Sequence, residues 1–138
     1  LLKYTSEKSC VLRQAACYGL GIFASMTPSS VLNSDNIQIW LQALYEAVKI
    51  PKGCEVKDLW TLQDNGVAAI GKIIKTHLTI FDPRPALSFW LHFLPIRHDK
   101  EEGMGQNELL ADIMLQKPEL IVGEDKVGGL VKVLTIYG

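Results

Sequence analysis

What this chain lacks narrows its role before any motif is considered. No window of its 138 residues approaches the ~20 apolar residues needed to cross a bilayer, and residues 1–10, with Lys3, Glu7 and Lys8, hold no apolar run of signal-peptide length. Neither sign of charge predominates. The formal net charge is −1 and basic residues never cluster beyond one or two, which removes a general attraction to nucleic acid. Cysteine is scarce and odd in number: Cys10, Cys17 and Cys54 form no CxxC pair, so no zinc or redox motif is indicated. The expectation is three free structural thiols in a cytosolic or nuclear compartment. Enzymatic signatures are missing too. His77, His92 and His98 have no HExxH spacing, and His98-Asp99 is a charged turn without an identified nucleophile. Gly19-Leu20-Gly21 has neither a preceding strand nor the rest of a phosphate loop. No catalytic, cofactor-binding or metal-binding residue is assigned, and the chain is expected not to be an enzyme.

What is present is apolar, periodic and repeated. With 48% hydrophobic and 21% charged residues the chain has material for one domain-sized core and is not a disordered tail. Arg13-Gln14-Ala15-Ala16-Cys17-Tyr18-Gly19-Leu20-Gly21-Ile22 is echoed by Leu62-Gln63-Asp64-Asn65-Gly66-Val67-Ala68-Ala69-Ile70-Gly71-Lys72-Ile73-Ile74, with Gly21 and Gly71 standing 50 positions apart. Both phrases are rich in small residues, which lets helices approach closely, and recurrence at a fixed offset is the mark of stacked helical repeats.

Spacing of three to four among Val11, Leu12, Ala15, Ala16, Gly19, Leu20, Ile22 and Phe23 predicts a helix over about 9–25, ended by Thr27-Pro28-Ser29-Ser30. Ile37, Trp40, Leu41, Leu44, Tyr45 and Val48 give a second, with Ser34-Asp35 as its cap and a stop before Pro51-Lys52-Gly53. A third begins near Val56, carries Trp60 to Leu78 and is expected to be kinked or relieved around Asn65-Gly66. Beyond Asp82-Pro83-Arg84-Pro85, residues 86–94 form a fourth that Pro95 stops. A charged turn from Arg97 to Glu102 leads into a fifth helix with Leu109, Leu110, Ile113 and Met114 on its buried side and Pro118 as terminator. The last pattern, from Leu120 to Tyr137, is one helix weakened by Gly123, Gly128 and Gly129. No alternating strand pattern is found.

Six helices with short connections predict antiparallel neighbours, alternating as inner and outer members of successive pairs. The fold class is therefore all-α, a HEAT-repeat α-solenoid, the alternative being a compact helical bundle. The segments are a partial repeat over 1–30, repeats over 31–80 and 84–117, and a partial repeat over 119–138; both ends read as cut from a longer array.

Taken together, the two small-residue phrases and Trp90-Leu91-His92-Phe93-Leu94-Pro95-Ile96, followed by Asp99 and Glu101-Glu102, resemble the later HEAT repeats of importin-beta-type karyopherins, nearest the importin-5 and importin-4 subgroup, over about 11–137. The resemblance implies a segment of a nuclear transport receptor that shuttles between cytoplasm and nucleus. It implies partners of three kinds: protein cargo with a nuclear localisation signal, FG-nucleoporins, and Ran-GTP through the full-length receptor. Neither direct nucleic-acid binding nor membrane insertion nor a cofactor is implied. The glycine-rich 125–129 departs from the family pattern. The alternative function is a HEAT scaffold or regulatory subunit of a larger enzyme complex.

Candidate contact residues follow. Asp64 and Asn65 are placed to cap a helix or to bond the preceding inter-repeat turn, and the resemblance sets them beside the cargo surface. Arg13 is expected to pair with an adjacent repeat. Lys72 and Lys75, three apart, with Lys132 nearby, are candidates for an acidic partner, against a plain solvated face. Asp99, Glu101, Glu102 and Glu108 are read as an acidic rim that would steer a lysine-rich signal. Trp40, Trp60, Phe89, Trp90 and Phe93 are expected in the core, while Tyr45 and Phe93 are the candidates to line a nucleoporin pocket implied by the resemblance.

Overall fold

Seven α-helices organise the residues that the computed structural model describes, 1–49, 54–122 and 126–137, and no strand occurs among them. They are α1 (Cys10–Met26), α2 (Ser34–Lys49), α3 (Val56–His77), α4 (Arg84–Phe93), α5 (Lys100–Gln116), α6 (Glu119–Val122) and α7 (Lys126–Tyr137). Short 3-10 turns at Leu2–Ser6 and Ser29–Val31 precede α1 and α2. The all-α expectation holds, and α6 and α7 both lie within the last of the six patterns. Pro51, Lys52, Gly53, Gly123 and Asp125 lie outside the described residues.

Local chemistry explains the helix starts. Asn33, rather than Ser34 or Asp35, caps α2: its Oδ1 accepts from Asn36 N at 2.9 Å, and Asn36 Oδ1 accepts from Asn33 N at 3.1 Å. Such a reciprocal pair satisfies two amide donors that a helix start otherwise leaves open. Asp99 caps α5 with a single such bond, accepting from Glu102 N at 3.0 Å. That puts Lys100, Glu101 and Glu102 in the first helical turn, where the two acids also face the positive end of the helix dipole. Helix α3 runs continuously through Asn65 and Gly66. Gly66 is a seat for Val48 of α2, whose Cγ2 occupies the space that a Cβ would take.

Helices α1, α3 and α5 lie side by side in one row, while α2 and α4 pack on α3 from a second layer. The glycines spaced 50 apart mark the contacts within the row. A Cβ on Gly21 would come 2.9 Å from Ala69 Cα of α3, and one on Gly71 would run into Gln106 Oε1 of α5. Equivalent positions of the repeated phrase thus meet the next helix along. Enclosed by its neighbours, α3 buries every residue from Gly66 to Gly71, along with Leu62, Ile73 and Ile74. A fully buried Leu or Ile contributes about 1.5–3 kcal/mol relative to exposure. Trp90 of α4 is wholly buried, and its Nε1 donates to Gln106 Oε1 at 2.8 Å.

Two of the three cysteines are not free. Cys10, at the start of α1, is bonded to Cys54, just before α3, across a sequence separation of 44. Odd cysteine count and absent CxxC spacing argue only about local motifs, and the row brings these two together from a distance. Arg13 Nη2 donates to Cys54 Sγ at 3.0 Å. Cys17 remains a buried thiol. Burial pushes it from 9.0 to about 12, opposed by the smaller pull of Arg13, and burial likewise raises Tyr45 from 10.0 to about 12. Both groups hold protons that an unfolded chain would release. Their contribution is therefore complete below about pH 9 and is lost as pH rises towards about 12. The expected result is a urea midpoint that falls steadily above about pH 9, with Cys17 unreactive to iodoacetamide at pH 8 until the chain unfolds. Prompt native-state alkylation would show that the thiol is reachable.

His77 closes α3 from inside. Its ring is fully buried, with Nε2 2.9 Å from Ala24 O of α1 and Nδ1 2.8 Å from Ser29 Oγ, which also reaches Thr76 O at 3.1 Å. At the two ends of the row, apolar side chains face outward: Val11 and Met26 of α1, and Met104 and Leu115 of α5.

Candidate functional site

Trp60 and Asp64 stand one helical turn apart on the first half of α3, so their side chains share a face. Between them they grip the turn that joins α4 to α5. The Trp60 indole stacks on the His98 imidazole at 4.6 Å with 12° between planes. Asp64 is buried, and its Oδ2 accepts from His98 N at 2.8 Å and Asp99 N at 3.1 Å. His98 Nδ1 lies 3.5 Å from the same oxygen. The carboxylate thus bonds the turn that follows it, not the preceding one. Two charge-assisted bonds from a buried acceptor make Asp64→Ala expected to cost about 2–3 kcal/mol, while Asp64→Asn, which keeps an acceptor oxygen, recovers most of it. Chemical denaturation measures this; an alanine variant as stable as the parent would mean that the turn holds itself.

Beside this clasp is a cavity of about 510 Å³, with Val67, Phe93, Leu94 and Pro95 supplying apolar wall and Gln63, His92 and Arg97 polar edge. A second hollow of about 230 Å³ shares Asp64 and His98 and reaches Lys100 and Glu101. A third, about 340 Å³, shares His92 and reaches Ser88 and Lys132. The three follow one another along α4 and the α4–α5 turn.

The remaining candidates are placed as follows. Arg13 is buried beside the Cys10–Cys54 bond, away from this cavity's lining. Asn65 is half-buried next to Asp64. Lys72, read with Lys75 as a basic pair, is joined to Glu102 of the opposite set, and its ammonium also lies 5.3 Å from the Tyr18 ring centre. With Asp99 capping α5, only Glu101 and Glu108 of the four acids are exposed. Lys75 borders a shallow hollow with Asp112, and Lys132 donates to His92 O at 3.3 Å. Tyr45 and Phe93 belong to one aromatic run through Phe89, with ring centres 4.4 Å and 4.8 Å apart in turn, and Lys49 lies over Phe89.

Trp60 corrects the expectation of a core residue. It is 44% exposed, against 8% for Trp40 and 0% for Trp90. Its position four before Asp64, on the helix face that meets the turn, was the available sequence signal. Among the described residues no group of three or more His, Cys, Asp or Glu is placed to hold a metal ion, and no helix is long and apolar enough to cross a membrane. No family model matches the chain, and no solved structure matches it.

Proposed function

We propose that this chain is a segment of a HEAT-repeat array that works by presenting surface to protein partners, within a nuclear transport receptor of the importin-beta type. The observation that carries this reading is the equivalence of Gly21 and Gly71, each set against the next helix of the α1, α3, α5 row. A row in which helix n meets helix n+2 through the same position of a repeated phrase extends by adding units, and its contacts are only between neighbours. Small rotations at several such contacts add up, which suits a receptor that changes pitch to grip and release cargo. Outward apolar residues on α1 and α5, at the row's two ends, are where further repeats would stack. Cargo, FG-nucleoporins and Ran-GTP are the proposed partners, the last through repeats of the full-length receptor, and the proposed location is cytoplasm and nucleus. The role is one of binding, without catalysis. The Cys10–Cys54 bond pulls the other way, because cytosolic glutathione keeps such pairs reduced.

The test is affinity capture on the full-length protein with and without GTP-locked Ran. Loss of captured nuclear proteins on adding Ran is the expected result. Gain would indicate export, and Ran-independent recovery of a fixed enzyme complex would replace the receptor by a scaffold subunit.

A further inference from the structure

We propose that the cavity between α3 and the α4–α5 turn docks an extended partner segment in which a carboxylate side chain lies next to an apolar one. The inference rests on the reading of the chain as a protein-binding surface and supplies the chemistry of what this part of the surface takes.

Shape selects an extended occupant. The three hollows share His92 on one side and His98 on the other, forming a trough along α4 and the turn rather than one closed chamber. The central one, at about 510 Å³, is within the roughly 300–1,000 Å³ common for ligand sites. Its wall of Val67 and Phe93 calls for an apolar side chain.

Charge selects the neighbour of that side chain. Arg97 is exposed at the rim and has no ion-pair partner among the described residues. Its guanidinium offers two parallel donors that match a carboxylate. Lys132 lines the trough on the His92 side with its ammonium on a carbonyl oxygen and not on an acid. The acid that borders the central cavity, Asp64, is buried and already accepts two backbone amides. At the far end Lys100 stands with Glu101, opposite in sign, and with Asp99, whose carboxylate is engaged in capping α5 through Glu102 N.

Trp60 supplies the anchor. Fixed against His98, it presents a rigid, half-exposed aromatic face with little side-chain freedom left to lose, as interface hot spots do.

The experiment titrates the full chain with a nine-residue peptide alternating glutamate with leucine and phenylalanine. A lysine-for-glutamate counterpart and inorganic pyrophosphate are titrated in parallel. Calorimetry and tryptophan emission are followed, Trp60 being the tryptophan open to solvent. Saturable binding of the acidic peptide is expected, weakened at least tenfold by Arg97→Glu and by Trp60→Ala. Circular dichroism of both variants is expected to match the parent, and Arg97→Lys to restore part of the affinity. No saturation by the acidic peptide, or a dissociation constant unmoved by Arg97→Glu, overturns the proposal. Preference for the lysine peptide overturns the acidic partner but leaves the protein-binding reading standing. Saturation by pyrophosphate alone overturns both.

Discussion

Replacing Gly71 by alanine is expected to cost about 3 kcal/mol, although alanine favours a helix over glycine by about 1 kcal/mol. The reason is a three-way contact inside the core. The added methyl would occupy the position of Gln106 Oε1 and come 2.8 Å from Trp90 Nε1. Gln106 must then move, which removes the acceptor from a buried indole N–H as well as forcing the row apart. Overpacking typically costs 1–3 kcal/mol and an unsatisfied buried donor about as much again, so the two losses outweigh the gain in propensity. Urea denaturation of Gly71→Ala, Gln106→Ala and the double variant measures the coupling. Alanine at 71 should cost at least about 1.5 kcal/mol less once Gln106 has been shortened. Additive losses would place the origin of the effect elsewhere. Gly21→Ala tests the same position one unit earlier, against Ala69.

Removal of the Cys10–Cys54 bond is the second large effect. Closing a loop over a separation of 44 residues restricts the unfolded chain by about 4 kcal/mol on the chain-entropy estimate, with 2–4 kcal/mol the usual measured range. The bond ties the first turn of α1 to the approach of α3, the pair of helices at the head of the row. A Cys10→Ala, Cys54→Ala double variant should therefore unfold at clearly lower denaturant, and dithiothreitol should lower the parent to the same value while leaving the variant unchanged. A parent insensitive to reductant would mean that the thiols stand unlinked. Counting thiols by alkylation, in protein quenched directly from its cell, gives one for the bonded chain and three for the reduced chain. The second count is the one that the nucleocytoplasmic reading requires.

Helices α1 to α5 were legible because each carries an apolar stripe at three-to-four spacing between Pro, Gly or Asn signals, and stripe and stop agree. Gly66 was less transparent, because a glycine within a helix can relieve a bend or seat a neighbour, and the seat shows only once Val48 is placed. Long-range pairing was equally out of reach. Lys72 and Glu102, expected to meet partners of opposite charge, are 30 residues apart and pair with each other. The same limit hid the link between Cys10 and Cys54. Trp60 was read as core because tryptophan usually is, yet its face of α3 meets a turn in place of another helix. Asp64 stood out in the sequence, but the amides it binds belong to a segment more than thirty residues away.

The bonds around His77 carry a rule of proton arithmetic. A carbonyl oxygen can only accept, so Nε2, facing Ala24 O, must bear a hydrogen. In the uncharged ring Nδ1 is then bare and draws the single hydroxyl hydrogen of Ser29 to itself, leaving Thr76 O without it. In the charged ring Nδ1 becomes the donor, and the hydroxyl hydrogen turns to Thr76 O. One proton on one buried ring thus decides whether the last turn of α3 is held to the loop that follows α1 by one hydrogen bond of Ser29 or by two.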